Sequence, residues 1–172
     1  MARVLIVGGG GRGRELGRRL RADGHAVRIT TRRESGRSAI EALGAECWVG
    51  DPDVIASLRQ GLDGVTVVCW LLGSAVGAPE ALAALHGSRL DMFLTQVIDT
   101  TVRGLIYEAA GTVDAGILAA GARAVAQAGR RSQIPYAVLD VDPADHEAWD
   151  QAAGTAIATL LGTASPPASA RG

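Results

Sequence analysis

Short runs of β-branched and other apolar residues alternate along this chain with segments whose apolar positions recur every three or four residues. That is the pattern of parallel strands joined by crossover helices. Residues 2–8 (ARVLIVG) predict a first strand, and residues 13–24 a helix with Leu16 and Leu20 on one face, arginines on the other and Gly24 past its end. Residues 25–31 predict a second strand, 35–44 a second helix capped by Ser35 or Ser38, and 45–50 a third strand. Asp51-Pro52 is a helix-start signal and predicts a short helix within 51–64. Residues 65–73 are almost wholly apolar, as a central parallel strand covered on both faces should be.

The stretch 74–87 is rich in Gly, Ala and Pro with weak helical character, whereas 88–103 places Leu90, Phe93, Leu94, Val97, Ile98 and Thr101 on one helical face. A fifth strand at 104–111, an Ala-rich helix at 113–131, a sixth strand at 134–142 and a last helix at 143–162, with Pro143 in its first turn, complete the pattern. Six strands with right-handed crossovers predict an α/β doubly wound parallel sheet of the Rossmann type, in the order 3-2-1-4-5-6, with helices on both faces. Residues 1–162 form this one domain, and the polar, Pro-containing stretch 163–172 is expected to be a disordered tail.

Composition narrows the function classes. The 172 residues are 48% hydrophobic and 20% charged, which excludes general disorder, and the net charge of −1 offers no attraction to nucleic acid or an anionic membrane surface. No apolar run approaches the roughly 18 residues of a membrane span, and Met1-Ala2-Arg3 leads straight into a strand, so a cytoplasmic location is expected. Cys47 and Cys69 fall in strands with no metal-ligand spacing around them, so no metal site is expected. All 17 basic residues are arginine, and the absence of lysine forbids any mechanism that needs one.

The chemistry concentrates after the first strand. Gly8, Gly10 and Gly13 fit G-x-G-x-x-G between a strand and a helix, with Gly9 and Gly11 widening the turn. The first glycine permits a tight turn, the second lets the backbone approach a pyrophosphate, and the third lets helix and strand pack closely. The free N–H groups of the helix's first turn then bind the anion. Dinucleotide folds that prefer NAD end the second strand with an acid that accepts from the ribose hydroxyls. Here Thr31 stands there, followed by Arg32 and Arg33, whose guanidinium groups suit a 2′-phosphate. The expected cofactor is therefore NADP(H) rather than NAD.

The stretches VLIVGGGGRGRELGRRLRADGHAVRITTR and VGDPDVIASLRQGLDGVTVVCWLLG together resemble the short-chain dehydrogenase/reductase superfamily, in its atypical NmrA-like and flavin-reductase-like branch. RGLIYEAAG and IPYAVLDVDP continue the likeness. The resemblance implies that Asp51 meets the adenine amino group, that Leu71, Leu72 and Gly73 line the cofactor, and that Arg12 touches the pyrophosphate or the 2′-phosphate. It departs from that branch in a glycine turn one residue shorter. It also departs in Glu108-Ala109-Ala110 where catalytic members carry a serine pair, and in lacking the Tyr-Lys catalytic pair altogether.

Without that pair, the resemblance implies an NADPH-dependent reductase of a planar acceptor, a flavin or quinone, stacked against the nicotinamide. The alternative is a non-catalytic, redox-sensing NADP-binding protein. The expected acceptor pocket comprises residues 69–75, 108–112 and 140–142, with 74–87 as a mobile wall. Within it, Glu108 and Tyr107 are the catalytic candidates, Trp48 and Trp70 candidate stacking groups, and His86 a further polar group. Cys69 reads as a packed thiol, and His25 and His146 as surface residues. The helix at 88–103 is a candidate homodimer surface.

Overall fold

The computed structural model describes residues 1–8 and 10–164. Its six strands are β1 Arg3–Gly8, β2 Ala26–Thr31, β3 Glu46–Val49, β4 Val67–Leu71, β5 Gly104–Glu108 and β6 Tyr136–Leu139. They pair in parallel in the order β3-β2-β1-β4-β5-β6, so the predicted doubly wound topology is the observed one. The helices are α1 Gly10–Ala22, α2 Arg37–Glu41, α3 Pro79–Leu85, α4 Ser88–Val97, α5 Ala115–Ser132 and α6 His146–Ala164.

Burial follows strand position. Every residue of β4 and β5 is buried, which accounts for their continuous apolar sequence, while the edge strands β3 and β6 are only partly covered. One face of the sheet packs Leu5, Val7, Val68, Trp70 and Tyr107 against Leu85 of α3, Leu90, Phe93, Leu94 and Val97 of α4, and Val125 of α5. The other packs Ile6, Cys69, Leu71 and Ile106 against Leu16 and Leu20 of α1, Ile40 of α2, and Trp149, Ala153, Ile157 and Leu160 of α6.

Several predicted boundaries move, each for a local reason. Helix α1 begins at Gly10 rather than residue 13, because Gly13 must lie one turn inside it to press on the end of β1. No α-helix forms within 51–64. Two short 3-10 turns, Ile55–Leu58 and Gln60–Leu62, take its place. There the Asp51 carboxylate accepts from the Asp53 N–H at 2.9 Å and the Ser57 hydroxyl accepts from the Asp51 N–H at 2.7 Å, local bonds that compete with helix hydrogen bonding.

The second predicted helix reduces to a 3-10 turn at Glu34–Gly36 and α2, neither capped by Ser35 or Ser38. The predicted helix 88–103 ends at Val97, leaving Ile98 half-exposed and Thr101 donating its hydroxyl to the Val65 carbonyl. Pro143 precedes α6 rather than opening it, and the Asp145 carboxylate instead accepts from the Ala148 N–H at 3.1 Å. Residues 163 and 164, placed by sequence in the tail, belong to α6, and the rest of the expected disordered tail lies outside the described residues. Among the described residues, no helix is long and apolar enough to cross a membrane.

The two faces of α4 give a direct test. Phe93 is 1% exposed and Met92 is 50% exposed. Phe93→Ala should cost about 3–5 kcal/mol in urea unfolding, while Met92→Ala should stay within about 0.5 kcal/mol of the parent.

Candidate functional site

The strand order reverses between β1 and β4, so their carboxyl ends diverge and leave a crevice of the kind in which open α/β sheets bind ligands. A cleft of about 410 Å³ opens there, lined by Gly8, Gly10, Gly11, Arg12, Arg32, Leu71, Leu72, Ser74, Ala75 and Val76. Gly8 and Gly10 have φ of 82° and 50°, the left-handed region in which a side chain is strained. A Cβ on Gly13 would sit 2.5 Å from the Gly8 carbonyl oxygen, so α1 can reach β1 this closely only with glycine at that position. Around Gly10 and Gly11, by contrast, nothing lies within 4 Å of where a Cβ would be. Protein atoms therefore crowd the third glycine and leave open space at the second and its neighbour, where a ligand's phosphates would lie.

On the β2 side the expected phosphate readers are only partly assembled. Arg32 lines the cleft, but its Nη1 stands 3.2 Å from Asp53 Oδ2 and its Nε 3.7 Å from Asp51 Oδ1. Thr31 turns its hydroxyl onto the Arg33 carbonyl at 3.1 Å, and Arg33 is exposed; neither lines the cleft, nor does Asp51. Gly73 packs beside the cleft, where its N–H donates to Glu108 Oε1 at 2.9 Å.

Glu108, at the end of β5, has no exposed surface. Its carboxylate also accepts from Arg12 Nη2 at 2.9 and 3.1 Å and from Trp149 Nε1 at 2.9 Å. The Arg12 guanidinium lies over the Trp149 ring, 5.6 Å from its centroid. One buried side chain thus ties the first turn of α1, the residue after β4's apolar run and the second turn of α6. It is not presented to the cleft as an acid.

Tyr107 is equally buried, on the opposite face of β5. His86 Nε2 lies 3.0 Å from the Leu72 carbonyl, which can only accept, so Nε2 carries the proton. Nδ1 then accepts from the Tyr107 hydroxyl at 2.6 Å. Burial pushes the His86 pKa below its ordinary value, partly offset by the bond to Leu72, and burial followed by the Glu108 charge pushes the tyrosine phenol up. His86, within the stretch 74–87 expected to be a mobile wall, is instead 1% exposed and ties the end of α3 to the residue that walls the cleft.

The remaining candidates are structural. Trp70 packs on Phe93 with centroids 5.0 Å apart, and Trp48 donates Nε1 to the Ser57 carbonyl at 2.8 Å under Arg28. Burial raises the Cys69 thiol to about 12, which leaves it protonated near neutrality. His25 accepts from the Ala2 N–H at 3.4 Å through Nδ1.

His146 lines a second cavity of about 570 Å³ between α1 and α6, with Glu15, Pro143, Trp149 and Asp150. It adjoins the cleft through Gly11 and Arg12, which line both. Of the expected acceptor pocket, Leu71, Leu72, Ser74 and Ala75 line the cleft, while Cys69 and Glu108 are packed inward. Trp149 is not among the residues expected here, and its one signal in the sequence is an aromatic residue amid the polar first turns of the last helix. A wider groove of about 1240 Å³ lies at the amino ends of β4 and β5, among Arg28, Arg59, Asp63, Gln96 and Asp99, and of the expected site residues holds only Trp48.

No family model matches the sequence, and no curated protein matches it. Solved structures do. Vestitone reductase from alfalfa (Medicago sativa L.) superposes with a TM-score of 0.63 at 17% identity, over 80% of this chain and 56% of that one. A short-chain dehydrogenase/reductase superfamily protein from Agrobacterium tumefaciens with bound NAD gives 0.64 at 20% identity, over 79% and 48%. Triphenylmethane reductase from Citrobacter sp., complexed with NADP(H), gives 0.62 at 19%, over 79% and 48%. The chain spans about half the length of these proteins, and the likeness is one of fold, the Rossmann fold expected from the sequence.

Two measurements check the buried groups. Glu108→Gln leaves Arg12 without its counter-charge and should cost about 3 kcal/mol in urea unfolding. For His86 the unfolded chain takes up a proton near its ordinary value of 6.5, but the folded chain only at lower pH. The stability held by neutral His86 is thus complete above 6.5 and lost as the pH falls below it. Unfolding midpoints of His86→Gln measured from neutral into mildly acid solution should decline less steeply than those of the parent.

Proposed function

We propose that this chain binds a nicotinamide dinucleotide in the cleft at the start of α1, with NADP(H) preferred, as an oxidoreductase of the short-chain dehydrogenase/reductase type. The observation that carries the reading is the glycine cradle. Gly8 and Gly10 hold left-handed turns, Gly13 admits only glycine, and the space beside Gly10 and Gly11 is open. Unpaired N–H groups of the first turn of α1 would hold the pyrophosphate there, with the helix dipole behind them.

Arg32 and Arg33 would meet the 2′-phosphate, Asp51 the adenine, and Leu71, Leu72 and Gly73 would border the cofactor. Arg12 is already committed to Glu108 through Nη2 but lines the cleft, so the rest of its guanidinium would lend positive charge to a phosphate there. NADPH held here would supply hydride chemistry, and the chain's own part would be to hold the ring and exclude water. A planar acceptor such as a flavin or quinone asks for no proton donor from the protein, which agrees with the burial of Tyr107 and Glu108. The NADP(H) complex of the Citrobacter enzyme and the NAD complex of the Agrobacterium protein, both on this fold, support a nicotinamide dinucleotide as the ligand class.

That same burial favours a second reading, a non-catalytic, redox-sensing binding protein. Both side chains with acid chemistry near the cleft spend their polar atoms on internal partners.

Fluorescence titration should give tighter binding of NADPH than NADH, and Arg32→Ala should weaken NADPH binding by about ten-fold with little change for NADH. Equal affinities for the two, with no loss on Arg32→Ala, would refute the NADP preference. Steady-state oxidation of saturating NADPH with flavin and quinone acceptors separates the two readings, since a tight complex without turnover sinks the reductase.

A further inference from the structure

Of Thr31, Arg32 and Arg33, the expected phosphate readers after β2, Arg32 alone lines the cleft, and it is not free. Its Nη1 lies 3.2 Å from Asp53 Oδ2, with side-chain exposures of 47% and 39%. On the other side its Nε lies 3.7 Å from Asp51 Oδ1. The two carboxylates differ in how firmly they are held. Asp51 Oδ1 accepts from the Asp53 N–H at 2.9 Å, which fixes that carboxylate to its own turn around Pro52. Asp53 makes no side-chain contact of this kind among the described residues other than its pair with Arg32.

The charge at this corner is therefore not that of two arginines. The carboxylates of Asp51 and Asp53 both stand against Arg32. A phosphomonoester carries about −1.5 to −2 at neutral pH, so it cannot join Arg32 while Asp53 stays beside that guanidinium without strong like-charge repulsion. A ribose hydroxyl has no such conflict, and a carboxylate in this place can accept from it.

We infer that Asp53 is a specificity-determining residue that competes with a 2′-phosphate for Arg32 and so sets how strongly the cleft discriminates phosphorylated from unphosphorylated ribose. This rests on the dinucleotide reading above. The pair is a half-exposed one, so it acts as a moderate brake rather than a block, and the phosphate displaces Asp53 by outbidding it for one guanidinium edge. Asp53 acts through Arg32, whereas Asp51 stays fixed in its turn.

The test uses two ligands that differ in one group, adenosine 2′,5′-bisphosphate and adenosine 5′-monophosphate, titrated into the full chain by calorimetry. Asp53→Asn should raise the affinity ratio of the first over the second by about five-fold at low salt, the scale of one exposed charge pair. Asp53→Ser should move it in the same direction, and circular dichroism confirms that both variants fold. At about 0.5 M salt the rise should shrink toward nothing, because exposed charges are then screened. In an Arg32→Ala background the same substitution should leave the ratio where Arg32→Ala alone put it.

An unchanged or lower ratio in both variants, an equal rise at low and high salt, or a full rise without Arg32 would each overturn the inference while leaving the dinucleotide reading intact. Binding of neither nucleotide by the parent chain would overturn that reading, and the inference with it.

Discussion

The buried carboxylate of Glu108 is the contact on which the geometry of the cleft depends. Taking a charge wholly out of water is costly unless donors surround it, and here Arg12, the Gly73 N–H and the Trp149 indole do so. Those donors come from three parts of the fold that the chain order keeps far apart, the start of α1, the segment just after β4 and the first part of α6. Because one rigid group collects all three, the two walls of the cleft cannot move independently. A ligand lying on the glycine turn meets a surface whose width is set from beneath.

The opposite face of the sheet repeats the arrangement with weaker bonds. Tyr107 bonds His86, His86 reaches the Leu72 carbonyl, and Leu72 presses on Gly8, so the far wall is also tied back into the core. Alternation along β5 produces this division of labour, since adjacent residues of a strand point to opposite faces. Tyr107 serves the α3 side and Glu108 the α6 side. Both side chains that the sequence offers for proton chemistry are in this way turned to positioning.

The strand order, the packing faces and the glycine turn were legible because they depend on short-range signals: apolar runs, helical periodicity and residues with unusual backbone freedom. Residues 51–64 depart from the expected helix because an Asp-Pro start signal also suits a turn closed by its own side chains, and Asp51 and Ser57 close it. The role of Glu108 lay beyond local reading. Its partners stand 96, 35 and 41 residues away, and no pattern along the chain says that an acid ending a buried strand will be enclosed. Arg32 shows the same limit from the charge side, for counting guanidinium groups along the sequence omits the carboxylates that folding brings against them.

Gly11 is held to glycine by neither of the constraints that act on the glycines around it. Gly13 is required by packing, and Gly8 and Gly10 by backbone angles, but Gly11 has an ordinary φ and open space around it. Alanine there would favour the helix by up to about 1 kcal/mol and collide with nothing in the chain itself. The fold alone would thus let this position drift over evolutionary time. A lineage of related sequences that keeps glycine here would be recording pressure from a ligand, while one that loses it and keeps Gly13 would be recording a retained scaffold with an abandoned site.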